Sequence, residues 1–361
     1  MKIGILSMQK IHNYGSFLQA LSLKMQLEAR GHDVYFIDIL PGKQIVKPEA
    51  PSRGSYLSKL DRYFFKRIEN YFLFKKMAKI HIRDYETYLQ TAKVLPDGES
   101  FDLAVIGSDE VFNATAPSPW GFSSQLFGDV KNAKRVVTYA ASCGHTTAQR
   151  AKELGIEGEL KEAMENLACI SVRDENTSEF VKTILGKTPE LNVDPVLISS
   201  FDPYIPVLKK RKPYLLVYAY ANRINDPREI AAIKAYAKQN RLEVLCVGMQ
   251  QRWCKHNISA SAFELLAYVK NAECVVTDTF HGTVFSLKYN KKFVSLIRDS
   301  NRNKLGGLLT QLGAISRSVT DLGCFENVMD APIDYDAIQA MIKNEQQKAY
   351  DYLDKVTRPE E

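Results

Sequence analysis

Two rounds of one alternation, a short apolar run followed by a stretch with helical spacing, leave this chain little room for any class but α/β. The first round opens with the run 3–7, a loop containing Asn13, Tyr14 and Gly15, and a helix whose Leu18, Leu21 and Met25 recur at three and four residues before Gly31 stops it. Strand-like runs follow at 34–39, 103–106, 136–140 and 169–172, with helices over 150–167 and 175–185. Residues 198–213 break the pattern with Pro203, Pro206, Pro213 and the run Lys209-Lys210-Arg211-Lys212, a composition suited to an exposed connection. The alternation then restarts: strands at 214–220, 242–247, 274–277 and 293–297, and helices at 227–239, 261–270, after His281 and at 304–312. Strands alternating with helices predict parallel sheets covered on both faces. At 361 residues the chain has the length of two such units. We therefore expect two Rossmann-like domains, 1–205 and 206–330. A final helix within 331–361, with Ile338, Met341, Ile342, Ala349, Tyr352 and Leu353 at helical spacing, should pack back across both.

Composition narrows the function. No apolar run approaches the roughly 18 residues of a membrane helix, and Met1 leads straight into a strand rather than a signal peptide, so a cytoplasmic protein is expected. The six cysteines never fall in a Cys-x-x-Cys or Cys/His ligand spacing, which predicts reduced thiols and no metal. Net charge is +6, yet residues 53–83 hold nine Lys/Arg against Asp61 and Glu69, so the rest of the chain is near neutral. This basic stretch, read as a helical insertion near 53–93, interleaves cations with Tyr56, Tyr63, Phe64, Phe65, Tyr71, Phe72 and Phe74. Two readings stand: aromatics packed on the first domain beneath solvated cations, or an amphipathic surface meeting anionic lipid at the inner membrane face. No nucleic-acid motif accompanies the charge.

In open parallel sheets ligands bind beyond the carboxyl ends of strands, where helix N-termini favour anions. Four segments occupy such positions: residues 12–16, Ile106-Gly107-Ser108-Asp109, Ser171-Val-Arg173-Asp174, and 277–283 with Asp278, His281 and Gly282. The first has glycine only at Gly15, which removes most support for a dinucleotide fingerprint or a phosphate-binding P-loop. Arg173, after an apolar run, suits either a bidentate grip on carboxylate or phosphate or an ion pair with Asp174 or Glu175. His281, between a strand end and a helix start, suits proton transfer. Arg298, Arg302 and Lys304 add positive charge after the next strand, as an anionic substrate would require or as a solvated surface would carry.

Taken together, the sequence resembles the polysaccharide pyruvyl transferase family. The segments Asn13-Tyr-Gly-Ser-Phe-Leu-Gln-Ala20, Val105-Ile-Gly-Ser-Asp-Glu-Val-Phe-Asn113, Tyr139-Ala-Ala-Ser142, Ser171-Val-Arg-Asp174, Val193-Asp-Pro-Val196 and Thr277-Asp-Thr-Phe-His-Gly282 fall in that family's order, over residues 11 to about 314. Glu110, Phe112 and Thr279 stand where Gln, Trp and Ser would be expected.

The resemblance implies a glycosyltransferase-B-like fold with the two halves facing across a cleft. It also implies an enzyme that transfers pyruvate from phosphoenolpyruvate, as co-substrate and without a cofactor, onto a sugar of a cell-surface polysaccharide or its lipid-linked precursor. It carries over His281 and Arg173 as active-site residues, joined by Asp278, and Lys304 as a donor contact. Asn13, Tyr14, Gly15, Ser108, Asp109, Gly282 and Arg298 complete the expected substrate-binding set. The chemistry fits these residue types: ketal formation protonates a methylene carbon, stabilises a cationic centre and expels phosphate. A nucleotide-sugar glycosyltransferase of the same fold, or a non-catalytic glycan-binding member of an envelope pathway, are the alternatives.

Overall fold

A computed structural model describes residues 1–45, 75–89, 99–115, 118, 120–221 and 223–358. These fall in two compact units. The first takes the residues up to 45, those from Tyr85 to Ser199 and those from Asn344 on; the second takes 75–84 and Ser200–Lys343.

The first unit is built on β1 (Lys2–Leu6), α1 (Tyr14–Glu28), β2 (Asp33–Phe36), β3 (Leu103–Asp109), β4 (Val136–Ala141), α3 (Ala148–Glu153), α4 (Glu157–Glu165), β5 (Leu167–Cys169), β6 (Ser171–Val172), α5 (Glu175–Leu185) and β7 (Glu190–Leu191). Its strands run β2-β1-β3-β4-β6-β7, with β5 also on β4, and every pairing is parallel. Ile3 pairs with both Val34 and Leu103, so the apolar alternation sits in register across the centre of the sheet. A core including Leu6, Ile106, Phe112, Phe127, Leu160 and Phe180 packs on it. Two expectations are corrected here. The helix expected over 150–167 is α3 and α4, because Gly155 at φ 70° turns the chain between them. The strand expected over 169–172 is β5 and β6, which pair with β4 in turn, the β5 pairing shifting register between Val136 and Val137.

The second unit contains the helical residues 75–84 (α2), then β8 (Tyr214–Tyr218), α6 (Pro227–Gln239), β9 (Glu243–Val247), β10 (His256–Ile258), α7 (Ala262–Asn271), β11 (Cys274–Thr277), α8 (Phe280–Lys288), β12 (Lys292–Leu296), α9 (Arg302–Gln311), β13 (Ser318–Val319) and α10 (Phe325–Asp330). Its parallel sheet runs β10-β9-β8-β11-β12-β13, the third-second-first-fourth-fifth-sixth order of a dinucleotide-type doubly wound fold. Leu215, Val217, Val276, Val294 and Met329 are among its core residues. The expected α/β class with two Rossmann-like halves is thus present.

Helix α11 (Tyr335–Val356) is shared. Within the second unit the Tyr335 hydroxyl donates to Lys291 O and Gln339 Nε2 to Leu287 O at 3.0 Å. Within the first, Tyr350 donates to Ile198 O at 2.8 Å and Tyr352 to Thr138 O at 2.7 Å. The basic stretch, expected as an insertion of the first domain, is described only over α2, and that helix groups with the second unit. Its Met77, His81 and Asp84 are buried while Lys75, Lys76, Lys79 and Arg83 face outward. The aromatic run before it lies outside the described residues. Among the described residues no helix is long and apolar enough to cross a membrane.

Candidate active site

Strand order in the first unit reverses at β1 and β3, so ligands are expected beyond their carboxyl ends. Asn13 caps α1 there, its Oδ1 accepting from Gly15 N at 2.9 Å. Ser16 Oγ donates to Asp109 Oδ2 at 2.5 Å, tying the helix start to the end of β3. Asp109 is half-buried and orients the next residue by accepting from Glu110 N at 2.9 Å. Tyr14 and Ser108 are fully buried, and Ser108 Oγ is committed to Ala140 O at 2.9 Å. Of the expected substrate contacts in this unit, Asn13 and Asp109 therefore lie at the edge, whereas Tyr14, Gly15 and Ser108 build what lies under it.

Arg173 also lies beneath the edge. Its side chain is 3% exposed and Nη1 meets Asp194 Oδ2 at 2.9 Å, so the ion pair joins two separate sequence motifs rather than chain neighbours. Asp174 instead caps α5, accepting from Thr177 N at 2.8 Å and from Ser142 Oγ at 2.8 Å. Burial opposes the charge on Arg173, but Asp194, Asp109, Asp174 and Glu110 outweigh it and hold its pKa above the ordinary value. A guanidinium placed this way positions the loop ends around it.

In the second unit the reversal falls between β8 and β11, where Thr277 pairs with Tyr218. One residue on, the Asp278 side chain is 0% exposed and receives two arginines on Oδ2: Arg223 Nε at 2.9 Å and Arg298 Nε at 3.1 Å. Arg298 also grips Glu229, Nη1 to Oε1 at 2.8 Å and Nη2 to Oε2 at 3.1 Å. Asn301 staples the two loops together, donating to Asp278 O at 2.9 Å and Leu296 O at 3.1 Å. Asp278 is thus a buried anchor, and Arg298, with 27% of its side chain exposed, clamps it to Glu229. Burial pushes the Asp278 carboxyl up while Arg223 and Arg298 pull it down.

Thr279 caps α8, its Oγ1 accepting from Gly282 N at 3.0 Å, and so sets His281 in the first turn. The imidazole is 7% exposed and lies edge-on to Phe280 and tilted on Phe285, at 5.3 and 6.0 Å between ring centroids. Gly282 serves the fold: a Cβ there would fall 2.1 Å from Thr277 Oγ1. Lys304 is half-buried in the first turn of α9.

The polysaccharide pyruvyl transferase family model matches residues 13–300, which contain both strand edges. The chain belongs to that family. No curated protein matches it in sequence. Among solved structures, this polysaccharide pyruvyl transferase family member is similar to the Streptomyces sp. SF2575 glycosyltransferase SsfS6, crystallised with thymidine diphosphate, at 15% identity over 99% of each chain and a TM-score of 0.48. It is also similar to the spinosyn rhamnosyltransferase SpnG at 12% identity, covering 98% of this chain and 99% of that one, with a TM-score of 0.49.

Two of the polar side chains that organise these edges escape a sequence reading. Arg223 follows the first strand of the second half, a position at the reversal point that strand order would have flagged, but strand order is not written in periodicity. Asn301 looks like an ordinary loop residue until its two carbonyl partners are known. Asp194 stood within a quoted motif, and only the fold reveals that its partner is Arg173.

Proposed function

We propose that the protein is a pyruvyl transferase that forms a pyruvate ketal on a sugar, with phosphoenolpyruvate as donor. The family match supports the reading, and the observation that carries it is His281 fixed in the first turn of α8 at the strand-order reversal, three residues after Asp278, on which Arg223 and Arg298 converge. In the reaction the donor's methylene carbon gains a proton, both sugar oxygens bond to C2, and the C2–O bond to phosphate breaks. Of the two hydroxyl protons one is balanced at the new methyl group and one on phosphate. We assign the proton transfer to His281, whose imidazole nitrogens can both donate and accept a proton. Lys304 and the arginine side of the second unit face the anionic donor. The first unit's edge, with half-buried Asp109 and Glu110, suits neutral sugar hydroxyls, since its carboxylates repel a multiply charged anion and accept hydrogen bonds. The acceptor belongs to a cell-surface polysaccharide or its lipid-linked precursor, and the outward cations of α2 would then face anionic headgroups.

His281→Ala tests the assignment. Turnover should fall about 10²-fold or more, while phosphoenolpyruvate KM and the melting temperature change little. A folded variant with near-normal turnover would remove His281 from the chemistry.

A further inference from the structure

The geometry points to Arg223 as the residue that grips the phosphoryl group of the anionic substrate, an assignment that rests on the donor reading above. Four charged side chains meet at the reversal point of the second sheet, and three of them are held by one another beneath or at its surface. Asp278 is buried under two arginines. Glu229 is 7% exposed and taken by both terminal nitrogens of Arg298. Arg298 has Nε on Asp278 and both Nη atoms on Glu229, so its fork is closed.

Arg223 differs. Nε is on Asp278 at 2.9 Å and Nη2 donates to Ser300 Oγ at 2.7 Å, a neutral hydroxyl, while 32% of the side chain is exposed. It is thus a cation whose shaft is pinned by a buried carboxylate and whose head turns toward water with a hydroxyl as its only other described contact. The backbone that carries it is fixed as well: Gln251 Nε2 donates to Tyr220 O at 2.8 Å, and Trp253 Nε1 to Ile224 O at 2.7 Å, bracketing the residue on both sides. A preorganised guanidinium loses little freedom on gripping a phosphate, and its planar fork matches the phosphate oxygens. Strand topology places it where such a ligand binds in this sheet order, beyond the carboxyl end of β8 and next to the turn that carries His281. Exchange of Ser300 for a phosphate oxygen replaces a neutral partner by a charged one, so the anion is favoured over the resting contact.

The test compares wild-type protein with Arg223→Gln, Arg223→Lys and, as a control for loss of charge on the same segment, Arg228→Gln, whose arginine is exposed and paired with Asp226. Binding of phosphoenolpyruvate and of inorganic phosphate is measured by calorimetry, with melting temperatures on the same preparations. Arg223→Gln should weaken both ligands in parallel by about ten-fold or more. Arg223→Lys should fall between it and wild type, and Arg228→Gln should bind normally. Unchanged binding of both ligands to a folded Arg223→Gln overturns the assignment, as does weakened phosphoenolpyruvate with unchanged phosphate, or a loss of binding that only follows a fall in melting temperature. If wild-type protein does not bind phosphoenolpyruvate, the donor reading fails, and the Arg223 assignment is then decided by inorganic phosphate alone.

Discussion

Gly282 shows how one atom decides the geometry of this site. Adding a Cβ would place carbon 2.1 Å from Thr277 Oγ1 and 2.8 Å from Thr279 Oγ1, the same hydroxyl that caps α8 and sets His281. Gly282→Ala should therefore destabilise the protein by about 1–3 kcal/mol and depress turnover beyond that loss, with Thr277→Ala in the same chain restoring part of both; denaturant melts with assays check it. Lys288 illustrates the opposite problem, a charge the fold tolerates. Burial lowers its pKa to about 8 against the favourable field of Asp202, and Nζ lies 5.7 Å from the Phe201 ring centroid. Because the folded protein gives up this proton before the unfolded chain does, the buried charge penalises folding below pH 8. The penalty is relieved as pH rises from about 8 toward the ordinary 10.5. Lys288→Met should raise the melting temperature at pH 7 and lose that advantage progressively between about pH 8 and 10.5, and parallel curves for the two proteins would contradict it. At this scale the sequence identified His281 and Arg173 as residues of interest, but not that Arg173 would be sealed beneath the surface, because burial depends on elements far along the chain.

Among the elements, α7 is the most completely capped. Ser261 Oγ accepts from Glu264 N at 3.1 Å, Glu264 Oε2 accepts from Ser261 N at 2.7 Å, and Asp84 Oδ2 from α2 accepts from Ala262 N at 3.0 Å. Three N–H groups at this end thus have anionic or hydroxyl partners. Ser261→Ala should cost about 1 kcal/mol, read as a shift of the denaturation midpoint without change of slope. An unchanged midpoint would mean that Asp84 alone holds the helix end. The same caps explain which elements could be read in advance. Helix α5 starts at Asp174 and stops at Gly186, and α6 starts at Asp226-Pro227, signals that act within a few residues. Strands β7, β10 and β13, of two or three residues, carry too little alternation to be seen and form because a neighbouring strand already offers its edge.

For the whole molecule, periodicity reveals two parallel sheets but not their orders, and the orders determine where ligands bind. Reversal at β1/β3 in one unit and β8/β11 in the other makes Asp109 and His281 edge residues, and Arg223 becomes visible only through that topology. On the first edge the partly exposed charges are the carboxylates of Asp109 and Glu110, whereas on the second they are Arg223 and Arg298, whose partners Asp278 and Glu229 are buried, which is why we assign the anion to the second. Pyruvyl transfer is tested most directly by the mass of the acceptor after incubation with phosphoenolpyruvate and a panel of nitrophenyl sugars in D2O. The expected acceptor is heavier by pyruvate less one water and carries one non-exchangeable deuterium in the new methyl group, with phosphate released in equal amount. An acceptor unchanged by phosphoenolpyruvate yet extended by a glycosyl unit from a nucleotide sugar would contradict it.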